Sequence, residues 1–385
     1  MNFQTGILPA IAVVSLGAVM ATLPALRPEP AQGQFAKLTS YPEQPRTPEA
    51  SSVRLASYSA PAKPSSSAYT AHSLRAVSGV LRHFNHDEKG QFDRTLTVSG
   101  EVDLDVQTGS GNISVKQGSA SQVEVHAKIY ADDRAGSDVL AHVKEIEQNP
   151  PIVQSGNTIK IGHIDRDDWK KHISISYEVV TPAQSKVRTA SGSGDVSVGG
   201  VAGPLEAESG SGNLGISQIG NEVHARTGSG DIDVNGVKGG AKVSTGSGSI
   251  HAQGIAGGIT ASSGSGDIQF AQTAPGDVDI QTGSGSVNVT GANGALKASS
   301  GSGGISVQGT PTGDWRLHTG SGDLEVKLPS DASFNLVARA QSGSIDSNRQ
   351  IMVQGKMSPH ELSGKVGNGG PTVELATSSG SIQIR

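Results

Sequence analysis

The sequence predicts an all-β protein, a single-stranded parallel β-solenoid of about 18 residues per coil with an irregular N-terminal cap containing strands and one helix. Three observations carry this. The string Ser/Thr-Gly-Ser-Gly returns eight times, with first glycines at Gly192, Gly210, Gly228, Gly246, Gly264, Gly283, Gly301 and Gly320. Successive intervals are 18 residues, lengthened by one before Gly283 and before Gly320. Apolar residues alternate with polar ones on both sides of every motif, as half-buried strands do. Finally, 385 residues with 52 glycines and only 3% aromatics provide a thin core of small side chains rather than a thick globular one.

In chain order, Gly6 to Leu26 is an uncharged apolar run about long enough to span a membrane. Residues 1–27 are expected to be either a signal peptide, with cleavage sites near Ala21 or Ala25, or a retained N-terminal membrane anchor. No Lys or Arg precedes the run and Arg27 follows it, a pattern that favours neither. Residues 28–90, rich in Pro, Ser and Ala, are expected to form a disordered spacer. Its end holds His83, His86, Asp87 and Glu88, which looks like a metal cluster but reads better as a solvated approach to the first strand.

Residues 91–182 are assigned to the cap. Strands begin at about Phe92, and Gly109-Ser110-Gly111-Asn112-Ile113 is an early copy of the corner motif. Ser137 or Asp138 can cap a helix whose apolar positions are Val139, Leu140, Val143 and Ile146, stopped by Asn149-Pro150. A hairpin with a glycine-first turn at Gly156-Asn157 follows. Residues 183–328 form the regular coils: strand, Gly-Ser-Gly corner, strand, second glycine-rich turn. Val223, Ala225 and Thr227 face inward before one corner, Ile232 and Val234 after it, and their equivalents do so in every coil. The glycines serve positive φ or close backbone approach. Residues 329–385 are looser coils that repeat the theme at Ser342-Gly343-Ser344 and Ser379-Gly380-Ser381. With no further segment after Arg385, any anchor is expected at the N-terminus.

The chemistry is sparse. A net charge of −5 without a basic stripe argues against nucleic acid, and the absence of cysteine removes disulfides and thiol chemistry. Gly210 to Gly215 matches G-x-G-x-x-G, yet no strand–loop–helix unit surrounds it. The position after each corner reads Asp195, Asn213, Asp231, Ser249, Asp267, Ser286, Gly304 and Asp323. With one acid per coil at most and no two aspartates adjacent, turn capping with like charges kept apart fits better than a calcium ladder. Arg188, Glu206, His224 and Lys242 share one outward column, and Glu208 and Arg226 adjoin in the next. Asp233 beside His251 comes nearest to a catalytic pair but lacks a third partner.

The corner motif S/T-G-S-G-D-I, Val180-Thr181-Pro182 leading into the coils, and the ending Gly369-Gly370-Pro371-Thr372-Val373 to Ser379-Gly380-Ser381-Ile382 resemble the bacterial "putative adhesin" β-strand-repeat family, a domain of unknown function. The resemblance spans roughly residues 92–385. It implies a β-solenoid at the cell envelope, with some relatives linked to envelope-stress signalling, and brings no catalytic residues. The function expected is therefore a non-enzymatic, exported, adhesin-like binding or scaffolding protein. The alternative is a sensor or regulatory partner in an envelope-stress response, and the third a polysaccharide-active β-helix enzyme. No catalytic, cofactor-binding or metal-binding residue is assigned. The partner expected is an envelope protein or glycan, with no nucleic acid and membrane contact only through the N-terminal segment.

Overall fold

A computed structural model of the chain describes residues 88–131, 137–163, 172–354 and 358–385. The apolar run, most of the spacer, and His83, His86 and Asp87 lie outside them. The cap comprises β1 (Glu88–Thr97), β2 (Val102–Thr108), β3 (Ile113–Gln117), β4 (Gln122–Ala131), α1 (Ser137–Gln148), β5 (Ile152–Ser155), β6 (Thr158–Ile161) and β7 (Ile173–Thr181). β1 starts at Glu88 rather than at Phe92, because it pairs antiparallel with β4 back to Tyr130 and Glu88 meets Lys128 at 3.1 Å. Alternation of apolar residues marks only the buried part of such a strand. β4 pairs antiparallel with β7, and β7 runs parallel to β3.

Helix α1 lies against β1 and β4 and buries Val139, Val143 and Ile146. Leu140, assigned to the same stripe, is 50% exposed. The other three cluster within one narrow arc, and Leu140 sits about 100° around the helix from Val139, off the packed face. Gly90 permits this contact, since a Cβ there would strike Val143 and the Glu147 carboxylate. The β5–β6 hairpin closes as expected, with Ser155 paired to Thr158 and Gly156 at φ +60°.

The regular coils alternate between two sheets. One receives β8 (Ser185–Ser191), β10 (Leu205–Ser209), β12 (Val223–Thr227), β14 (Ala241–Thr245), β16 (Ile259–Ser263), β18 (Val278–Thr282), β20 (Leu296–Ser302) and β22 (Trp315–Ser321). The other receives β9 (Val196–Gly199), β11 (Leu214–Ile219), β13 (Ile232–Val237), β15 (Ile250–Ile255), β17 (Ile268–Gln272), β19 (Val287–Asn293), β21 (Ile305–Thr310) and β23 (Leu324–Lys327). Every step is parallel and in the expected register: Leu205, Val223 and Ala241 align in one sheet, Leu214, Ile232 and Ile250 in the other. The inward residues are buried in all coils, up to Trp315, whose indole N–H donates to Gly294 O at 3.1 Å.

The ends are threaded differently from the sequence. At the N-terminal end β2 and β3 stack directly on β8 and β9, and β6 and β7, later in the chain, extend the same two sheets beyond them. At the other end come β24 (Phe334–Ser342), β25 (Ile345–Ser347), β26 (Met352–Val353), β27 (Glu361–Val366), β28 (Thr372–Ser379) and β29 (Ile382–Ile384). The last two in sequence intercalate: β28 lies between β22 and β24, and β29 between β23 and β25. Residues 372–384 are thus an interior coil of the stack rather than its looser end.

The corners show which property of glycine is used. None of the eight first glycines has positive φ. A Cβ on either corner glycine would instead sit closer than 3.0 Å to backbone of the coil before, as at Gly230 over Gly212. Beside them runs a buried hydroxyl ladder. Thr227 Oγ1 donates to Gly212 O (2.8 Å) and accepts from Gly230 N–H (3.3 Å), and Ser209, Thr245 and Ser263 repeat both bonds. Thr227→Val keeps the shape but orphans a buried carbonyl and a buried N–H. It should cost about 1–3 kcal/mol in denaturant unfolding; an unchanged midpoint would remove the ladder from the stability account.

Positive φ belongs to the second turn. Gly200 (+77°), Gly236 (+75°) and Gly254 (+68°) are equivalents there, and Gln218 occupies the same place at +55°. An L-residue is strained in that region, which glycine tolerates. Gln218 is exposed, so Gln218→Gly loses no packing and should stabilise by up to about 1 kcal/mol. A lower melting temperature would contradict this.

Candidate functional site

The interior is sealed, so any site must lie on the outer faces. Within the described core only the Tyr177 hydroxyl is buried without a hydrogen-bond partner, and burial pushes its pKa up. It sits in the cap against Phe92, ring centroids 6.4 Å apart.

The acids after the corners are structural, though their role differs from a local turn cap. Asp195 Oδ1 accepts from Asn213 N–H (2.8 Å), Asn213 Oδ1 from Asp231 N–H (2.9 Å), and Asp231 Oδ1 from Ser249 N–H (2.8 Å). Asp267 and Asp323 do the same for Ser286 and Ser381. Each side chain ties its coil to the next one, and Asn213 shows that an amide serves between two carboxylates. Ser249 gives no such bond to Asp267. Ser249→Asn should therefore stabilise by about 0.5–1.5 kcal/mol. Ser249→Asp adds an acceptor but also repulsion of about 1 kcal/mol per neighbouring carboxylate, so its melting temperature should rise relative to wild type as salt is added. A chelator should change neither protein. A calcium-dependent rise in Ser249→Asp would instead reveal a metal ladder. Among the described residues no three metal-ligating side chains converge.

Asp233 and His251 do meet, Oδ1 to Nδ1 at 3.6 Å, but both are exposed and their register neighbours are Gly215 and Gln269. The Gly210–Gly215 string turns a corner into strand β11, with no helix to hold a pyrophosphate. The rest of that face is flat, with Asn235, Gln253, Asn288 and Gln308 exposed.

The opposite face carries a groove of about 510 Å³. It crosses the strands from β12 to β22 and so runs along the stack, through six coils or about 24 Å. Its floor is half-buried and lies where the second turn holds Gly240, Gly258 and Ala295. One bank is acidic, formed by the turn residues Glu222, Asp277 and Asp314. The other is mainly basic, formed by the outward strand residues His224, Lys242, Lys297 and Arg316. Asp279, the acid on this bank, is held by Lys297 at 3.4 Å, and Arg316 lies 3.9 Å from Glu374. Asp277 and Asp314 each give one oxygen to a backbone N–H of the next coil. Glu222, His224 and Lys242 have no ion pair among the described residues. The column of Arg188, Glu206, His224 and Lys242 was legible in sequence, and Arg188 does pair with Glu206 at 3.1 Å. The acidic bank was not, because the turn that supplies it varies in length. Its only signal is the residue just before each first inward strand position.

The parallel β-solenoid thus has a sealed apolar core and carries its acidic and basic side chains on its outer faces. Residues 220–385 match the family model described as Toastrack DUF4097, in line with the β-strand-repeat family that the corner motifs resemble. Three solved structures are similar. A "putative cell adhesion protein" from Clostridium sporogenes ATCC 15579 is 11% identical, with 77% of this chain and 99% of that one covered and a TM-score of 0.18. A "putative adhesin" from Bacteroides fragilis NCTC 9343 is 14% identical over 77% and 98%, with a TM-score of 0.27. Another from Parabacteroides distasonis ATCC 8503 is 12% identical over 74% and 97%, with a TM-score of 0.27. No curated protein matches the chain. Among the described residues no helix is long and apolar enough to cross a membrane, and the run Gly6–Leu26 lies outside them.

Proposed function

We propose that this protein is a non-enzymatic, extracytoplasmic, adhesin-like binding protein that engages an envelope protein or glycan along its solenoid. The observation that carries this reading is the groove: a two-banked surface that runs along six coils, with acids at three of the turns, and without a nucleophile–base–acid set. The apolar run at Gly6–Leu26 supports export, and the Toastrack match supports a repeat scaffold. Full-length protein should bind isolated envelope material saturably and release no product from acidic or neutral polysaccharides. Saccharide products that disappear in Asp233→Asn would establish the enzyme instead.

A further inference from the structure

We propose that the groove takes an extended peptide segment of alternating charge from a partner protein. The inference rests on the binding reading above and names the ligand class of that site. An extended chain points successive side chains to opposite sides, so residues on one side recur about every 7 Å. The groove presents mainly opposite signs to those two sides: the turns supply Glu222, Asp277 and Asp314, and the strands supply Lys242, Lys297 and Arg316, with Asp279 held by Lys297. Glu222 and Asp277 stand three coils apart in the stack, as do Lys242 and Lys297. Three coils span about 14 Å, or two same-side steps of an extended peptide. About seven extended residues fill the groove's length of roughly 24 Å. Cationic side chains would then meet Glu222 and Asp277 while the intervening anionic ones meet Lys242 and Lys297. Gly240 and Gly258, half-buried and without side chains, leave room for the peptide backbone between the banks. A neutral glycan would leave the Glu222 carboxylate and the Lys242 ammonium desolvated without counter-charges, and no Trp, Tyr or Phe lines the groove for stacking.

The test uses the full chain and two labelled synthetic peptides of identical composition, one alternating lysine and glutamate, the other with the same residues in two blocks. The alternating peptide should bind about tenfold tighter than the block isomer, and added salt should weaken it. Glu222→Gln and Lys242→Gln, both at exposed positions, should each weaken binding about threefold or more without moving the melting temperature. Gln269→Ala on the opposite face should change nothing. Equal binding of the isomers, or binding unaffected by both groove substitutions, overturns the proposal. Envelope binding that persists while neither peptide binds overturns it too, yet leaves the binding function standing. Loss of all envelope binding removes that function instead.

Discussion

Gly230→Ala is expected to unfold the solenoid around its corner, at a cost of about 4 kcal/mol or more. The added methyl would lie closer than 3.0 Å to the Gly212 carbonyl and to Asn213 N, which are backbone atoms that cannot step aside. Relief requires the two coils to separate, and separation breaks the Thr227 Oγ1 bond to Gly212 O together with the ladder beside it. Gly215→Ala is the matched control. It lies one strand position past the same kind of corner, with its nearest neighbour, Ser197 Oγ, 4.0 Å from the new methyl. It should be neutral or stabilising by up to about 1 kcal/mol, since alanine restricts the unfolded chain more than glycine. If Gly230→Ala melts with the wild type, close backbone approach is not what these corners require.

Leu375→Asp should be as damaging as Ile250→Asp in the middle of the stack. Leu375 is fully buried, in register with Leu317 on one side and Ala338 on the other. A carboxylate there has no counter-charge, and removing the partner of a buried charge costs about 3–5 kcal/mol. Because β28 and β29 are intercalated, displacing them also strips β24 and β25 from the stack and uncovers Trp315. Indole emission should therefore shift to the red at lower denaturant than in wild type. Unchanged emission together with unchanged melting would mean that residues 372–384 are peripheral.

The regular coils were legible because a solenoid repeats its instructions. Gly-Ser-Gly at a fixed interval sets the corner, and period-two alternation sets the inward face. Parallel stacking then places like on like, so Ile232 falls on Ile250 without any long-range information. The helix was legible from its apolar spacing and its Asn149-Pro150 stop, except Leu140, where a periodic stripe is wider than the surface that covers it. The candidate groove was only half legible. The basic bank follows the strand period, while Glu222, Asp277 and Asp314 come from a turn whose length changes between coils.

By itself, then, the sequence determined the coil: its length, its corners, its two inward faces and the thin apolar core that seals it. These are local decisions, each made within one repeat and repeated by the next. Only the tertiary structure decided the order of coils at the two ends and the direction of the side-chain ladders. Nothing within residues 372–384 distinguishes stacking after β25 from slipping between β22 and β24; the partner edges make that choice. Nor does an aspartate after a corner reveal whether its oxygen turns back on its own loop or reaches across to the next coil. Both depend on which backbone groups remain unpaired once the stack has formed, and that is a property of the assembled coils.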